Sequence, residues 1–180
     1  MARLTKENWL DEGFKILSEF AQNKIRIMYL CERLGVTRGS FYHHFTSIEN
    51  YIDALLKKWE QENTYSFIEK ANEGEAPVEK LSILSQLVLQ NNHSIEAAIR
   101  SWGFYDPIVK SYLERVDQSR LKYLEEILLA LGYKKQEAWL TAKLDYAMLI
   151  GIQQMSPDIS EQELSGLFEV YWQQQKKLIP

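Results

Sequence analysis

Hydrogen-bond donors and aromatic rings are crowded into the stretch GVTRGSFYHHF, residues 35–45. The donors are Thr37, Arg38, Ser40, Tyr42 and His43. Hydroxyl, guanidinium, phenol and imidazole groups can bind phosphate oxygens and the edges of nucleobases. Gly39, which lies among them, lets a main chain approach a ligand closely. The chemistry that these residue types offer is recognition of a polyanion.

Two short helices are needed to position these donors. Ile27, Leu30, Cys31 and Leu34 share one face of the first helix, and Gly35 supplies the left-handed residue that ends it. Thr37 is expected to cap the second helix, which has about two turns. A helix, a glycine turn and a second helix form the helix-turn-helix arrangement, in which the second helix enters the major groove of DNA.

The second of these helices divides its aromatic residues between two faces. Phe41 and Phe45 are four residues apart, so they share a face and are expected to pack inward. Tyr42 and His43 then point outward and can donate to phosphates. Arg26, at the start of the preceding helix, can reach a phosphate by its charge.

Apolar residues recur at helical spacing along almost the whole chain, which eight glycines and four prolines punctuate. The sequence therefore predicts an all-α fold of about nine helices. The first begins after Thr5 and ends near Ala21, and the fourth is opened by Ser47 and runs towards Ile68. The stretch 71–77, ANEGEAP, combines turn-forming and charged residues and predicts a link to the second half.

Five helices are predicted after this link. The residues expected to open the first three are Pro77, Ser94 and the pair Asp106-Pro107. Gly132 ends the third of them, and the last two cover about 135–154 and 160–177. The chain is accordingly divided into a helix-turn-helix domain at 1–46, a connecting helix at 47–72 and a ligand-binding and dimerisation domain at 73–180.

Composition limits the classes of function. The 180 residues carry a net charge of -4, yet residues 1–59 hold nine lysines and arginines against seven acidic residues. No apolar run approaches the roughly 20 residues of a membrane-spanning helix. The start of the sequence lacks an apolar signal core, which favours the cytoplasm. We find no metal-spaced cluster, phosphate loop or nucleophile with a base, so neither an enzyme nor a cofactor is predicted.

The stretch LCERLGVTRGSFYHHFTSIENYIDAL, residues 30–55, resembles the helix-turn-helix signature of the tetracycline-repressor (TetR) family of bacterial transcription regulators. A looser similarity to the ligand-binding domain of one branch of these regulators covers AIRSWGFYDPIV at 98–109 and the helix ending at Gly132. The resemblance implies a homodimeric repressor that binds a palindromic DNA operator and is released by a small apolar or aromatic effector. The candidate DNA-contacting residues of this chain are Arg26, Thr37, Arg38, Gly39, Ser40, Tyr42 and His43.

Aromatic residues in the second half could line an effector pocket, although aromatic residues at helical spacing are more often ordinary core. The candidates are Trp102, Tyr105, Tyr112, Trp139 and Tyr146. The resemblance places the dimer interface on the last two helices, and the candidates are Leu149, Ile150, Leu164, Leu167, Phe168 and Tyr171.

An alternative function is a protein-binding adaptor of the same fold that has lost operator binding. Arg26 and Ile48, which depart from the family pattern, favour it slightly.

Overall fold

The computed structural model describes residues 4–178, with side chains for all of these except Trp172 and residues 174–178. Helices account for the regular structure of this part of the chain, as predicted. Their bounds are α1 Lys6–Phe20, α2 Ile27–Leu34, α3 Arg38–His44, α4 Ile48–Glu60, α5 Ser66–Ala71, α6 Pro77–Leu89, α7 His93–Gly103, α8 Pro107–Ala130, α9 Lys135–Met155 and α10 Glu161–Leu178.

The first three helices begin and end where local capping predicts. Thr5 caps α1 by accepting from the amide of Asn8 at 3.4 Å. Gly35 ends α2 in the left-handed conformation, with φ of 65°. Thr37 has the extended backbone of a capping residue, but its side chain accepts no capping hydrogen bond, so this part of the prediction is wrong.

The predicted fourth helix is one helical rod over 48–71 with an irregular middle. Ser47 caps it by accepting from the amide of Asn50 at 3.2 Å. The segment Gln61–Tyr65 is π-helical, and α4 and α5 flank it. Counted as one helix, this rod makes nine in the described part of the chain, which agrees with the predicted number. The sequence analysis did not predict this π segment.

Capping residues also open α7 and α8. The prediction that Ser94 caps α7 is wrong: α7 begins at His93, and Asn92 accepts from the Ser94 amide at 3.1 Å. Asp106 caps α8 as predicted, accepting from the amide of Ile108 at 2.9 Å, and Pro107 follows in the first turn.

The largest apolar cluster joins the two halves of the chain. It contains Trp9, Phe41 and Leu55 from the first four helices, and Ile99 and Val116 from α7 and α8. The helix-turn-helix part is therefore packed onto the body through α1 and α4, and it is not suspended on a linker. The division at residues 46 and 72 stays a prediction.

Candidate nucleic-acid interface and internal cavity

Two phenylalanines anchor α3 from behind. Phe41 and Phe45 are both essentially buried, and their ring centroids lie 5.4 and 6.4 Å from the centroid of Trp9. Tyr51 on α4 contacts both rings, at 5.8 and 5.0 Å. The i, i+4 spacing thus packs one face of α3 inward, as the sequence predicts.

α1 and α4 approach closely behind α3. The buried hydroxyl of Tyr51 donates to the carbonyl of Trp9 at 2.8 Å. A Cβ atom added to Gly13 would lie 2.1 Å from this hydroxyl, so only glycine fits at this contact. This contact holds α4 against α1. Because Phe41 and Phe45 of α3 pack in the same aromatic cluster, it also fixes the orientation of α3 relative to these two helices.

The opposite face of α3 is open to solvent. Of the predicted DNA-contacting residues, Thr37, Arg38, Gly39 and His43 are exposed, Tyr42 is 49 % exposed and Ser40 is half-buried. A Cβ atom on Gly39 would meet only the Thr37 Oγ1 atom, at 3.6 Å, which is an ordinary contact. Nothing within the described chain therefore requires glycine at this position.

Two exposed cations belong to the helices that pack with α3. Arg26 is exposed and immediately precedes α2. Lys6, at the start of α1, holds its ammonium nitrogen 5.5 Å from the centroid of the Phe45 ring, beside the end of α3. Sequence reasoning counted Lys6 only as part of the total charge. The sequence predicts that Lys6 lies at the start of α1, but its approach to α3 depends on how the two helices pack.

A second feature is a cavity of about 120 Å³ in the body. Its walls come from the π segment and from α5 to α10. Most of the wall is apolar and includes Phe67, Leu84, Val88, Tyr123, Leu124 and Phe168. Polar groups make up the smaller part of its surface, and among them are Asn63, Glu96, Arg120, Asp145, Tyr146 and Gln153. An apolar cavity with a small number of placed polar groups is the usual form of a small-molecule site.

Only Tyr146 of the five predicted ligand-binding aromatics lines this cavity. Trp102 is buried in the large apolar cluster, and Tyr112 donates to the Asp53 carboxylate at 2.6 Å, between α8 and α4. Tyr105 is 85 % exposed, and Trp139 faces solvent beside the ammonium of Lys143. Helical periodicity shows that a side chain is on a buried face, but does not show what the face packs against.

Buried charges form the polar wall of the cavity. Glu96 on α7 accepts a hydrogen bond from Arg120 at 2.8 Å and forms an ion pair with Arg100 at 2.9 Å. Burial acts to raise the pKa of Glu96, but the two guanidinium groups outweigh it and hold this pKa below its ordinary value. Arg100 also binds Asp117 at 2.7 Å, and the hydroxyl of Tyr146 donates to that carboxylate. Two cations and two anions thus compensate one another. No sequence motif marked this cluster.

Comparison with solved structures identifies the fold. The chain superposes on a TetR transcriptional regulator from Legionella pneumophila with a TM-score of 0.80, at 15% identity over 95% of this chain and 97% of that one. It superposes on the reduced form of NemR from E. coli with a TM-score of 0.74, at 17% identity over 89% and 92% of the two chains. The chain has the TetR-regulator fold. No protein-family model and no curated protein sequence matches it.

Another structure with the TetR-regulator fold contains a small molecule. It is a transcriptional regulator from Saccharomonospora viridis in complex with choline, which matches with a TM-score of 0.69 at 15% identity over 91% of this chain and 95% of that one. At such identities the similarity demonstrates the TetR-type architecture, while the side chains that contact DNA or ligand must be read from this chain alone.

The last two helices of the TetR-type fold carry an exposed apolar surface. On α9 the exposed residues Leu140, Leu144 and Ala147 lie along one side. On α10, Leu167 and Val170 are 43 % and 54 % exposed. We call these five residues the α9–α10 face. Exposed apolar residues on two successive helices are consistent with a surface that binds another protein.

The predicted dimer residues coincide with this face only in part. Leu167 belongs to it, and Leu149 and Ile150 are half-buried. Leu164 is fully buried, so it is not available to a second chain and the prediction is corrected there. The other two residues face inward: Phe168 lines the cavity, and the Tyr171 hydroxyl donates to Asp145 at 2.6 Å.

The helices and acidic, histidine and cysteine side chains of residues 4–178 also bear on membranes and metals. None of the helices in this range combines the length and apolarity that crossing a bilayer requires. The same range contains no group of three histidine, cysteine, aspartate or glutamate side chains arranged to hold a metal ion.

Proposed function

We propose that this protein is a transcription regulator that binds double-stranded DNA through α3. The observation that carries the proposal is the division of α3 into a buried aromatic face and an exposed polar face. Phe41 and Phe45 supply the rigid support, and Thr37, Arg38, Tyr42 and His43 supply donors on the outside. A polar helix face on a rigid support suits the major groove, and the exposed cations Arg26 and Lys6 of the neighbouring helices suit its phosphates.

Operator recognition requires two such modules. A single helix reads too few base pairs for useful specificity, and a dimer sets two modules about 34–36 Å apart, one duplex turn. The α9–α10 face supports this part of the proposal, since two such faces would together form a four-helix interface. The operator is then roughly palindromic, because the two subunits are related by a twofold axis.

The cavity supports release by a small apolar or aromatic molecule. Its wall includes Asn63 and Thr64 of the π segment, which lies in the same rod as α4. A ligand that favours a different position of this rod changes the tilt of α4 and hence the separation of the two α3 helices. The shift can be no larger than the difference in the ligand's affinity for the two states.

DNA binding is tested with the promoter fragment next to the gene that encodes the protein. Fluorescence anisotropy at increasing salt is expected to give a linear fall of log affinity with log salt concentration, with a slope set by the number of phosphate contacts. Tyr42→Phe and His43→Ala should each weaken binding by about 1 kcal/mol, with unchanged thermal stability. Tyr65→Phe, at an exposed tyrosine of the π segment, is the matched control and should bind DNA normally.

The alternative function predicts a different outcome. If the protein shows no salt-dependent affinity for the promoter fragment, and the α3 variants do not alter that result, DNA binding is rejected. The protein-binding adaptor then becomes the better hypothesis. A test on unrelated DNA separates specific from general affinity. A regulator should prefer its own promoter by a factor of about a thousand or more at physiological salt.

A further inference from the structure

One carboxylate in the cavity wall has no cationic partner in the part of the chain that the structure describes. Asp145 on α9 is half-buried, and its Oδ1 atom accepts from the Tyr171 hydroxyl at 2.6 Å. Among the described residues, no lysine, arginine or histidine forms an ion pair with it, and nothing donates to its Oδ2 atom. Burial raises the pKa of Asp145 above its ordinary range, as is expected of a carboxyl group with no positive charge beside it.

The cationic residue of the cavity wall is already fully engaged. The five N–H groups of Arg120 are matched by five hydrogen bonds, to Thr64, to the carbonyl of Asn63, to Tyr146 and twice to Glu96. No donor of Arg120 is left for an anionic ligand. A carboxylate or phosphate entering the cavity would also meet the negative charge of Asp145. The charge pattern thus disfavours anions.

We propose that the cavity binds a small apolar amine as its ammonium ion, with the charged head at Asp145 and the apolar body against the aromatic and aliphatic wall. An ammonium group would supply the positive charge and the donors that this carboxylate lacks. Phe67, Tyr123 and Phe168 line the same cavity, and the faces of aromatic rings attract cations. The inference rests on the proposed function only in taking this cavity as the effector site.

The size of the cavity limits the body of the ligand. Its volume of about 120 Å³ is comparable with that of an engineered apolar cavity of about 150 Å³ that accepts benzene. One ring or a chain of similar bulk therefore fits. Benzylamine, benzyl alcohol and benzoate have nearly the same shape and differ in charge, so they are suitable probes.

The test is isothermal titration of the full chain with these three probes at pH 7. Benzylammonium is expected to bind at least about tenfold more tightly than benzyl alcohol, since a buried charge pair is typically worth that much or more, and benzoate should bind most weakly. Asp145→Asn should abolish the preference for benzylamine over benzyl alcohol. Asp158→Asn, at an exposed aspartate outside the cavity, should preserve the preference.

Three results would overturn the inference. The first is that the unaltered protein binds benzoate or benzyl alcohol as tightly as benzylamine, or more tightly. The second is that it binds none of the three probes. The third is that Asp145→Asn retains the full preference for benzylamine over benzyl alcohol. The comparison of the three probes uses the unaltered protein, so the test does not depend on a variant folding. DNA affinity is measured separately without any amine. If the protein binds DNA but no amine, the proposed function stands and the amine site is rejected. If it binds the amine but no DNA, the amine site stands and DNA binding is rejected.

Discussion

Arg120 on α8 donates a hydrogen bond to the main-chain carbonyl of Asn63 in the π segment, at 3.2 Å. Its Nε atom donates to the hydroxyl of the next residue, Thr64, at 3.0 Å. A single side chain therefore attaches the irregular part of the connecting rod to the body, and does so in the cavity wall. π-helical turns are often found at functional sites. In the proposed regulator, the same guanidinium lies between the effector and the helix that carries the signal.

Replacing Arg120 should destabilise the protein strongly. Arg120→Met removes one of the two cations that compensate the buried Glu96, and we expect a loss of about 3–5 kcal/mol in the free energy of unfolding, measured by urea denaturation. Arg115→Met is the matched control. Arg115 also binds a carboxylate of the rod, Glu60 at 2.6 Å, but its side chain is 47% exposed, so a smaller loss of about 1–2 kcal/mol is expected. Equal losses would show that the burial of Arg120 has no special energetic role.

Two glycine-to-alanine variants should have opposite effects. Gly39→Ala meets no close neighbour within the chain and removes a glycine from a helix, so stability should stay the same or rise by up to about 1 kcal/mol. Affinity for promoter DNA should nevertheless fall, since the added methyl group lies on the proposed contact face. Gly13→Ala forces its Cβ atom against the Tyr51 hydroxyl and should lower the melting temperature markedly. Normal DNA affinity in Gly39→Ala would show that α3 meets DNA differently or not at all.

A charge on the α9–α10 face should separate the proposed dimer. Leu144→Glu introduces the charge at a side chain that is 63 % exposed in the single chain, so each subunit should stay folded. We expect the molar mass from light scattering to fall by half, together with a loss of operator affinity. Val78→Glu on α6, at a side chain 64 % exposed, is the matched control and should remain dimeric. Identical behaviour of the two variants would place the interface elsewhere.

Acid should weaken the fold through His93. This residue is buried, its Nδ1 atom lies 2.9 Å from the amide nitrogen of Gln153, and its Nε2 atom has no partner among the described residues. Burial lowers the pKa of His93 in the folded chain. Below pH 6.5, which is about the pKa of this histidine in the unfolded chain, the unfolded chain therefore binds a proton more readily than the folded chain does. The free energy of unfolding should therefore fall as the pH drops below this value. His93→Asn should show a shallower slope over pH 5.5–7.5, and parallel curves would rule out this contribution.

The sequence predicted the helix-turn-helix part almost completely. Capping by Thr5 and Ser47, the left-handed Gly35 and the inward pair Phe41 and Phe45 all depend on residues within a few positions of one another. Such interactions are set by helical geometry, so the spacing of residue types is enough to predict them. The same reasoning gave the all-α fold and the bounds of the long helices to within a few residues.

Contacts between distant helices were decided by the tertiary structure alone. Among the five aromatic residues proposed for the pocket, only Tyr146 lines the cavity, and Leu164 is buried within the chain instead of in a dimer interface. The ion cluster of Glu96 with Arg120 joins residues 24 positions apart, and neither residue belongs to a motif. Amphipathic spacing fixes which side of a helix is buried, whereas its partner depends on how all ten helices pack together. For this protein, local geometry specified the surface proposed to meet DNA. Only packing created the cavity and placed Asp145 in its wall, where no described residue supplies a counter-charge.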